Sequence, residues 1–481
     1  MSPWDEDPPQ PENASRISWF RQHVDIPSSA VHPRAHTVFS ASCEVLDHEI
    51  CLPSSSLVIS SSGSYLALAG IEEYDRVERP AISYWCTDVK GYLDERQIHT
   101  GLAYPVKHSV IDDTRKLLFF ADKDRIKSFH WGEGLPVHTM RSGNFDGPLA
   151  VMTGGRLARA GKGYAAIWNL DALETHGKSG EDAIGEGNYR VRGYTFMDPY
   201  DIDLSIGSVV HTTTKFADSD FQPFVWHSHT PTSYMLCAEA PRWFGHHNCD
   251  STHEHGFVTF DLAQGKTVSR FSGLDCEPEA FSTSEDEPNT FMTAGSVGHA
   301  WLYDIRLPVP QKKILARCPI ALAHLDGIPV LFIGGSDKIS LYDLRAEKVV
   351  YDLATGNNEV TSLAWETCNS SLYASTLCPY VDDQGYRYRS QYRPYKPPKP
   401  RRVADRQTET EEDDFIDSDE DSSDDDYTRA GWVDWDKCWP TIARSEGYFR
   451  HEFDAREHRL YCYRFKADAK VDPGQLRLPI T

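Results

Sequence analysis

Five side chains able to ligate a metal fall inside one eleven-residue stretch, GHHNCDSTHEH at 245–255: His246, His247, Cys249, His253 and His255. Imidazole and thiolate suit zinc or copper. The spacing matches no zinc motif and the histidines do not stand as HExxH, so the stretch is expected to be a polar loop with no resident metal. Other catalytic signatures are missing. There is no GxSxG nucleophile elbow, no phosphate-cradling Gly-Lys-Ser/Thr loop and no GxGxxG leading from a strand into a helix. With 72 carboxylates in the chain, no acid pair stands out as a glycosidase dyad. The expectation is a non-enzyme with no catalytic residue and no cofactor.

Charge is the second chemical feature. The 481 residues carry 49 Lys and Arg against 72 Asp and Glu, a formal net charge of -23. That argues against nucleic acid or an anionic membrane surface as the main ligand and favours basic proteins, such as histones or ribosomal proteins. Two opposed arms adjoin within one segment, about 380–447, whose composition is that of a disordered insertion. Residues 387–402 carry seven basic side chains and no acid, interleaved with Tyr388, Tyr392 and Tyr395; residues 403–426 carry thirteen acids and the single base Arg406. Within the basic arm, KPPKPRR is compatible with a nuclear import signal, and the acidic arm could hold a basic partner. Ser418, Ser422 and Ser423 each have an acid three residues downstream, resembling the site preference of casein kinase 2. Trp432, Trp435 and Trp439 follow at helical spacing and are expected to dock back on the protein. The acidity is not confined to the arms, since the other 441 residues carry -18.

The N-terminus is acidic and proline-rich rather than basic then apolar, and no run of about 18 apolar residues occurs, so a soluble nuclear or cytoplasmic protein is expected. Eleven cysteines without a CxxC pair agree with a reducing compartment.

The elements that must carry these groups read as β-strands. Short β-branched or aromatic runs end in turn residues, and one type recurs: a small or apolar residue, two positions, an aromatic, then often Asp or Asn. The aromatics are Trp85, Phe129, Trp168, Phe260, Tyr303, Tyr342 and Tyr463, spaced 44, 39, 92, 43, 39 and 121 residues apart. Four of the six gaps match a four-stranded propeller blade of roughly 40 to 45 residues. The two longer gaps imply insertions, one from about 175 to 222 and one at 380–447. The fold expected is all-β, a seven-bladed β-propeller over 36–466, between an N-terminal extension (1–35) and a C-terminal tail (467–481). Its blades are expected at about 57–100, 105–142, 148–220, 221–272, 278–316, 319–353 and 360–466. Blade seven lacks a clear fourth strand, and HTVFSAS at 36–42 is predicted to fill that place and close the ring.

GGSDKISLYDLR at 334–345 is similar to the third-strand signature of WD-repeat β-propellers, with Tyr342 and Asp343 where that family prefers Trp-Asp. The resemblance implies a protein-interaction scaffold. YDIR at 303–306 and YDLR at 342–345 also resemble the paired boxes of substrate receptors for cullin-4 RING ubiquitin ligases. That likeness implies adaptor contact by Arg306 and Arg345, with Asp304 and Asp343 orienting the turns. An interaction scaffold is the leading expectation; a ligase receptor and a propeller enzyme are the alternatives.

Overall fold

The computed structural model describes residues 20–22, 37–45, 50–74, 77–87, 93–191, 201–229, 231–239, 255–274, 278–295, 298–316, 319–325, 327–356, 358–378 and 458–466. Two strands precede the first complete blade: β1 (Phe20–Gln22) and β2 (Thr37–Val45). Blade one is β3 (Ile50–Ile59), β4 (Tyr65–Tyr74), β5 (Val77–Thr87) and β6 (Leu93–His99). Blade two is β7 (His108–Asp112), β8 (Leu117–Ala121), β9 (Arg125–His130) and β10 (Pro136–Arg141). Blade three comprises β11 (Leu149–Met152), β12 (Arg156–Gly161), β13 (Tyr164–Asn169) and β14 (Thr212–Lys215). Blade four runs through β15 (Pro223–His229), β16 (Tyr234–Glu239), β17 (His255–Asp261) and β18 (Lys266–Leu274). In blade five the strands are β19 (Pro278–Thr283), β20 (Thr290–Gly295), β21 (His299–Asp304) and β22 (Lys312–Leu315). Blade six holds β23 (Ile320–Leu325), β24 (Ile328–Gly334), β25 (Lys338–Asp343) and β26 (Lys348–Ala354). Blade seven has β27 (Glu359–Glu366), β28 (Ser371–Leu377) and β29 (Arg459–Lys466). All the strand-to-strand ladders are antiparallel, and no α-helix occurs among the described residues.

The ring closes as the sequence predicts. Blade seven takes β2 as its fourth strand, paired with β29 from Thr37 opposite Lys466 to Val45 opposite Arg459. Ring closure removes two open sheet edges at the cost of a pairing between the two ends of the chain.

The seven aromatics occupy one structural position. Each stands on the third strand of its blade opposite an apolar residue of the second: Trp85 faces Leu66, Phe129 faces Leu118, Trp168 faces Leu157 and Phe260 faces Met235. Tyr303, Tyr342 and Tyr463 face Phe291, Leu331 and Leu372. All seven then pack toward the preceding blade. Trp85 of blade one, for example, lies in a cluster with Tyr373 and Leu460 of blade seven, while Trp168 of blade three lies with Leu117, Phe119 and Ala121 of blade two. The core is therefore seven apolar layers between blades. Strand alternation builds them: on β4, Leu66 and Leu68 turn toward blade seven, and Ala67 and Ala69 toward blade two.

A first prediction follows for this layer. Trp168 is fully buried, so Trp168→Ala should cost about 3–5 kcal/mol by opening a cavity between blades two and three. Trp168→Phe should cost much less, because the indole N–H meets no acceptor among the described residues. Urea unfolding of the two variants checks this; equal losses would contradict it.

Two segments behave differently from the sequence expectation. The N-terminal extension supplies β1, which adds to the outer edge of blade six. The insertion after blade three yields the outer strand β14, but its middle crosses to blade two. There Ser208 bridges Met140 in parallel, accepting from Arg141 N (3.0 Å) and donating to Thr139 O (2.8 Å). Gly207 permits the approach: its φ is +94°, and a Cβ would sit 2.9 Å from Arg141 N. The charged insertion at 380–447 lies outside the described residues, as do Trp432, Trp435 and Trp439.

Candidate functional site

Because strands alternate direction within a blade, the turns after every first strand and every third strand share one face of the ring. Acids gather at the rim of the central channel on that face. Asp113 follows β7 of blade two, Glu285 and Asp286 follow β19 of blade five, and Glu366 ends β27 of blade seven. Glu285 feels the others: its pKa is raised by burial first, then by Asp113, Asp286 and Glu366. The Cys368 thiol is raised in the same way, by burial and then chiefly by Glu366. Asp113 accepts the backbone N–H of Ser61 (2.6 Å) through Oδ2, while its buried Oδ1 has no hydrogen-bond partner. Glu366 caps its own turn, both oxygens accepting from Asn369 N at 3.0 and 2.9 Å.

Beneath these acids a space of about 210 Å³ is lined by the first strands of five blades, including Ser60, His227, Ser284 and Trp365. His227 borders this lumen on β15, and burial, with help from His229, lowers its pKa to about 4. It is therefore neutral at pH 7. The mouth presents anionic and neutral polar groups, which suits a cation or a basic side chain better than an anion.

The two Asp-x-Arg boxes occupy third-strand turns on the same face. Asp304 Oδ1 accepts from Arg306 N (2.9 Å), and the Arg306 guanidinium returns to Asp304 through Nε (2.8 Å) and Nη2 (2.5 Å). That side chain remains 67% exposed, so the pair sits at the rim where a partner could reach it. Asp343 Oδ1 accepts from Arg345 N (2.8 Å) and Ala346 N (3.0 Å), whereas Arg345 Nη2 donates to Gly327 O (2.7 Å). The same capping recurs at Asp261, which takes Ala263 N (2.9 Å), and at Asn169, which takes Asp171 N (3.3 Å). The recurrent aromatic-Asp pair thus has a local cause. The aromatic fills the layer between blades, and the next residue closes the turn.

A second polar centre lies at the outer edge of blade two, where the insertion docks. Arg125, 1% exposed, donates to three backbone carbonyls: Asp203 O (2.7 Å), Ser205 O (2.9 Å) and Gly101 O (2.8 Å). Its guanidinium also stacks on Tyr189, 3.8 Å from the ring centre. Two residues on, buried Lys127 meets Asp203 Oδ2 at 2.8 Å. Thr139 Oγ1 donates to that oxygen at 3.3 Å and lies 2.8 Å from His176 Nε2. His176 Nδ1 in turn lies 2.7 Å from Asp182 O. Burial would raise the Asp203 pKa, but Lys127 and the Ser205 hydrogen bonds outweigh it and hold the carboxyl at about 2. Beside this network a groove of about 580 Å³ opens between β6 and the insertion, with His99, Lys127, Phe129 and Glu181 among its walls. The charges here are spent on one another, so the network clamps the insertion and presents no free acid-base pair.

The structure brings together Arg306, Arg345, Asp304 and Asp343 on one face. His255 opens β17; His246, His247, Cys249 and His253 lie outside the described residues, as do Ser418, Ser422 and Ser423. Among the described residues no cluster of three or more potential metal ligands occurs, and no helix is long and apolar enough to cross a membrane. Sequence reasoning missed the acidic mouth and the Arg125–Lys127–Asp203 clamp. One signal for the clamp was present: two cations alternating with apolar residues in RIKSF, a strand that a blade must bury and that therefore needs counter-groups from elsewhere.

The chain matches no known protein-family profile and no curated protein. Its functional reading rests on this geometry.

Proposed function

We propose that the protein is a non-catalytic interaction platform of WD-repeat type that receives a basic protein segment at the acidic mouth of its channel. The observation that supports this is the gathering of Asp113, Glu285 and Glu366, carboxylates from three blades, at one rim, where Asp113 and Glu366 both act on Glu285. Rigid blades fix their positions, and a cationic side chain entering the mouth would relieve their repulsion. The propeller also suits the role, although the fold by itself does not choose between a scaffold and an enzyme.

The test is binding of a fluorescent Lys/Arg-rich peptide to the purified full chain across a salt series. Affinity should fall steeply between 50 and 300 mM salt, on the order of tenfold. Glu285→Gln with Glu366→Gln should weaken it by about thirtyfold at low salt, because each removed charge contributes of order 1 kcal/mol. Unchanged affinity in the double variant would remove this site. The ligase-receptor alternative uses the same face but different residues. It is supported only if Arg306→Glu with Arg345→Glu abolishes co-purification of a cullin-4 adaptor that binds the parent.

A further inference from the structure

Blade six carries five strands, whereas every other described sheet has four. The fifth is β1, paired antiparallel with β26: Phe20 opposite Leu353, Arg21 opposite Asp352 and Gln22 opposite Tyr351. The blade is complete without it. Strands β23 to β26 already fill the four positions, and Val350, Leu353 and Ala354 of β26 are buried. In this β1 differs from β2, which supplies the missing fourth strand of blade seven over eight paired residues. Three residues make a short strand against a usual length of about five to six. They meet Tyr351, Asp352 and Leu353, and among the described residues Lys348, Val349, Val350 and Ala354 of β26 take no strand partner on that side. A partly covered outer strand offers alternating backbone donors and acceptors to any extended chain.

We propose that the outer edge of blade six is a strand-addition site for an extended, basic protein segment, and that residues 20–22 are its replaceable resident. The edge accepts a strand in antiparallel register, as β1 demonstrates, and that register sets a basic residue opposite Asp352. Asp352 is the one acid of β26 and is buried, its carboxylate held by Lys338 Nζ (2.6 Å) and Ser340 Oγ (2.7 Å), so its position on the edge is fixed. A partner matching the resident would place an aromatic or aliphatic residue against Leu353 and a cation against Asp352. The site lies on the outer rim, away from the channel mouth, and stands or falls independently of the binding proposed there.

The experiment uses the full chain and its Arg21→Pro variant, in which proline removes the central N–H of β1. A labelled peptide of residues 15–26, SRISWFRQHVDI, serves as the probe. The tethered resident competes at an effective concentration in the millimolar range. The peptide should therefore bind Arg21→Pro at least about tenfold more tightly than the parent. Hydrogen exchange read by mass spectrometry should show residues 348–354 exchanging faster in Arg21→Pro than in the parent, with β24 unchanged, and slowing when the peptide is added. A peptide with Glu in place of its Arg should bind several-fold more weakly. Equal binding to parent and variant, protection elsewhere than 348–354, or indifference to the Arg-to-Glu change would overturn the proposal. The unchanged exchange of β24 guards against a variant that has simply unfolded.

Discussion

Asp203→Asn is expected to destabilise the protein by about 3–5 kcal/mol, the range for removing one partner of a buried ion pair. Lys127 is 5% exposed on its side chain and its ammonium has Asp203 as its counter-charge at 2.8 Å. The Lys127 pKa is already lowered by burial, with Asp203 the main group opposing that. Asparagine preserves shape and some hydrogen bonding but leaves a buried cation that must lose its proton or pull the insertion open. The double variant Lys127→Met with Asp203→Asn should recover more than half of the loss, since replacing both charges removes the unpaired one. Urea unfolding measures both. A local readout accompanies it: trypsin cleavage at the exposed Lys178, in the segment His176 anchors, should accelerate in the single variant and return toward parent in the double. If Asp203→Asn costs less than about 1 kcal/mol, the clamp is not what seats the insertion.

Acid should weaken the fold in a window set by histidines whose pKa the fold lowers. His108, His138 and His227 are each lowered to about 4, in every case chiefly by burial. The unfolded chain takes up protons near pH 6.5 while the native state refuses them until about 4. The contribution is therefore complete above pH 6.5 and is lost as the pH falls toward 4. His138, 6% exposed and 2.8 Å from Ser128 Oγ, gives the clearest case, with a loss of about 3 kcal/mol across the window at about 1.4 kcal/mol per pH unit. His227 borders the lumen with its side chain exposed and contributes less. Glu285 works in the opposite sense, because its raised pKa makes its protonation stabilising as the acidic mouth loses charge. The sum should still be a falling urea midpoint between pH 7 and 4.5, with His138→Gln flattening the slope. A flat profile for the parent would contradict the burial of these imidazoles in their neutral form.

The first of these predictions concerns a pair distant in sequence, which is where sequence reading stopped. The aromatic of each third strand was legible because its partners are local: the second strand lies one hairpin away, and in four blades the turn-closing Asp or Asn is the next residue. Blade spacing and the closure of the ring by the strand at 37–45 followed from counting strands and asking which sheet lacked one. The clamp could not be read in this way. Lys127 and Asp203 are 76 residues apart, and Asp203 belongs to an insertion whose polar, Gly-rich start reads as loop. Nor could the acidic mouth be read, because Asp113, Glu285 and Glu366 each close or flank an ordinary turn and differ from dozens of other carboxylates only in pointing at one axis.

The sequence by itself determined the all-β propeller, its seven anchors and the overall acidity, since strand period, turn chemistry and net charge are properties of neighbouring residues or of sums over them. Only the tertiary structure decided where that acidity concentrates, what neutralises Arg125 and Lys127, and that residues 20–22 lie along blade six. Each of these depends on which blades become neighbours once the ring closes, a geometric consequence that no local window contains.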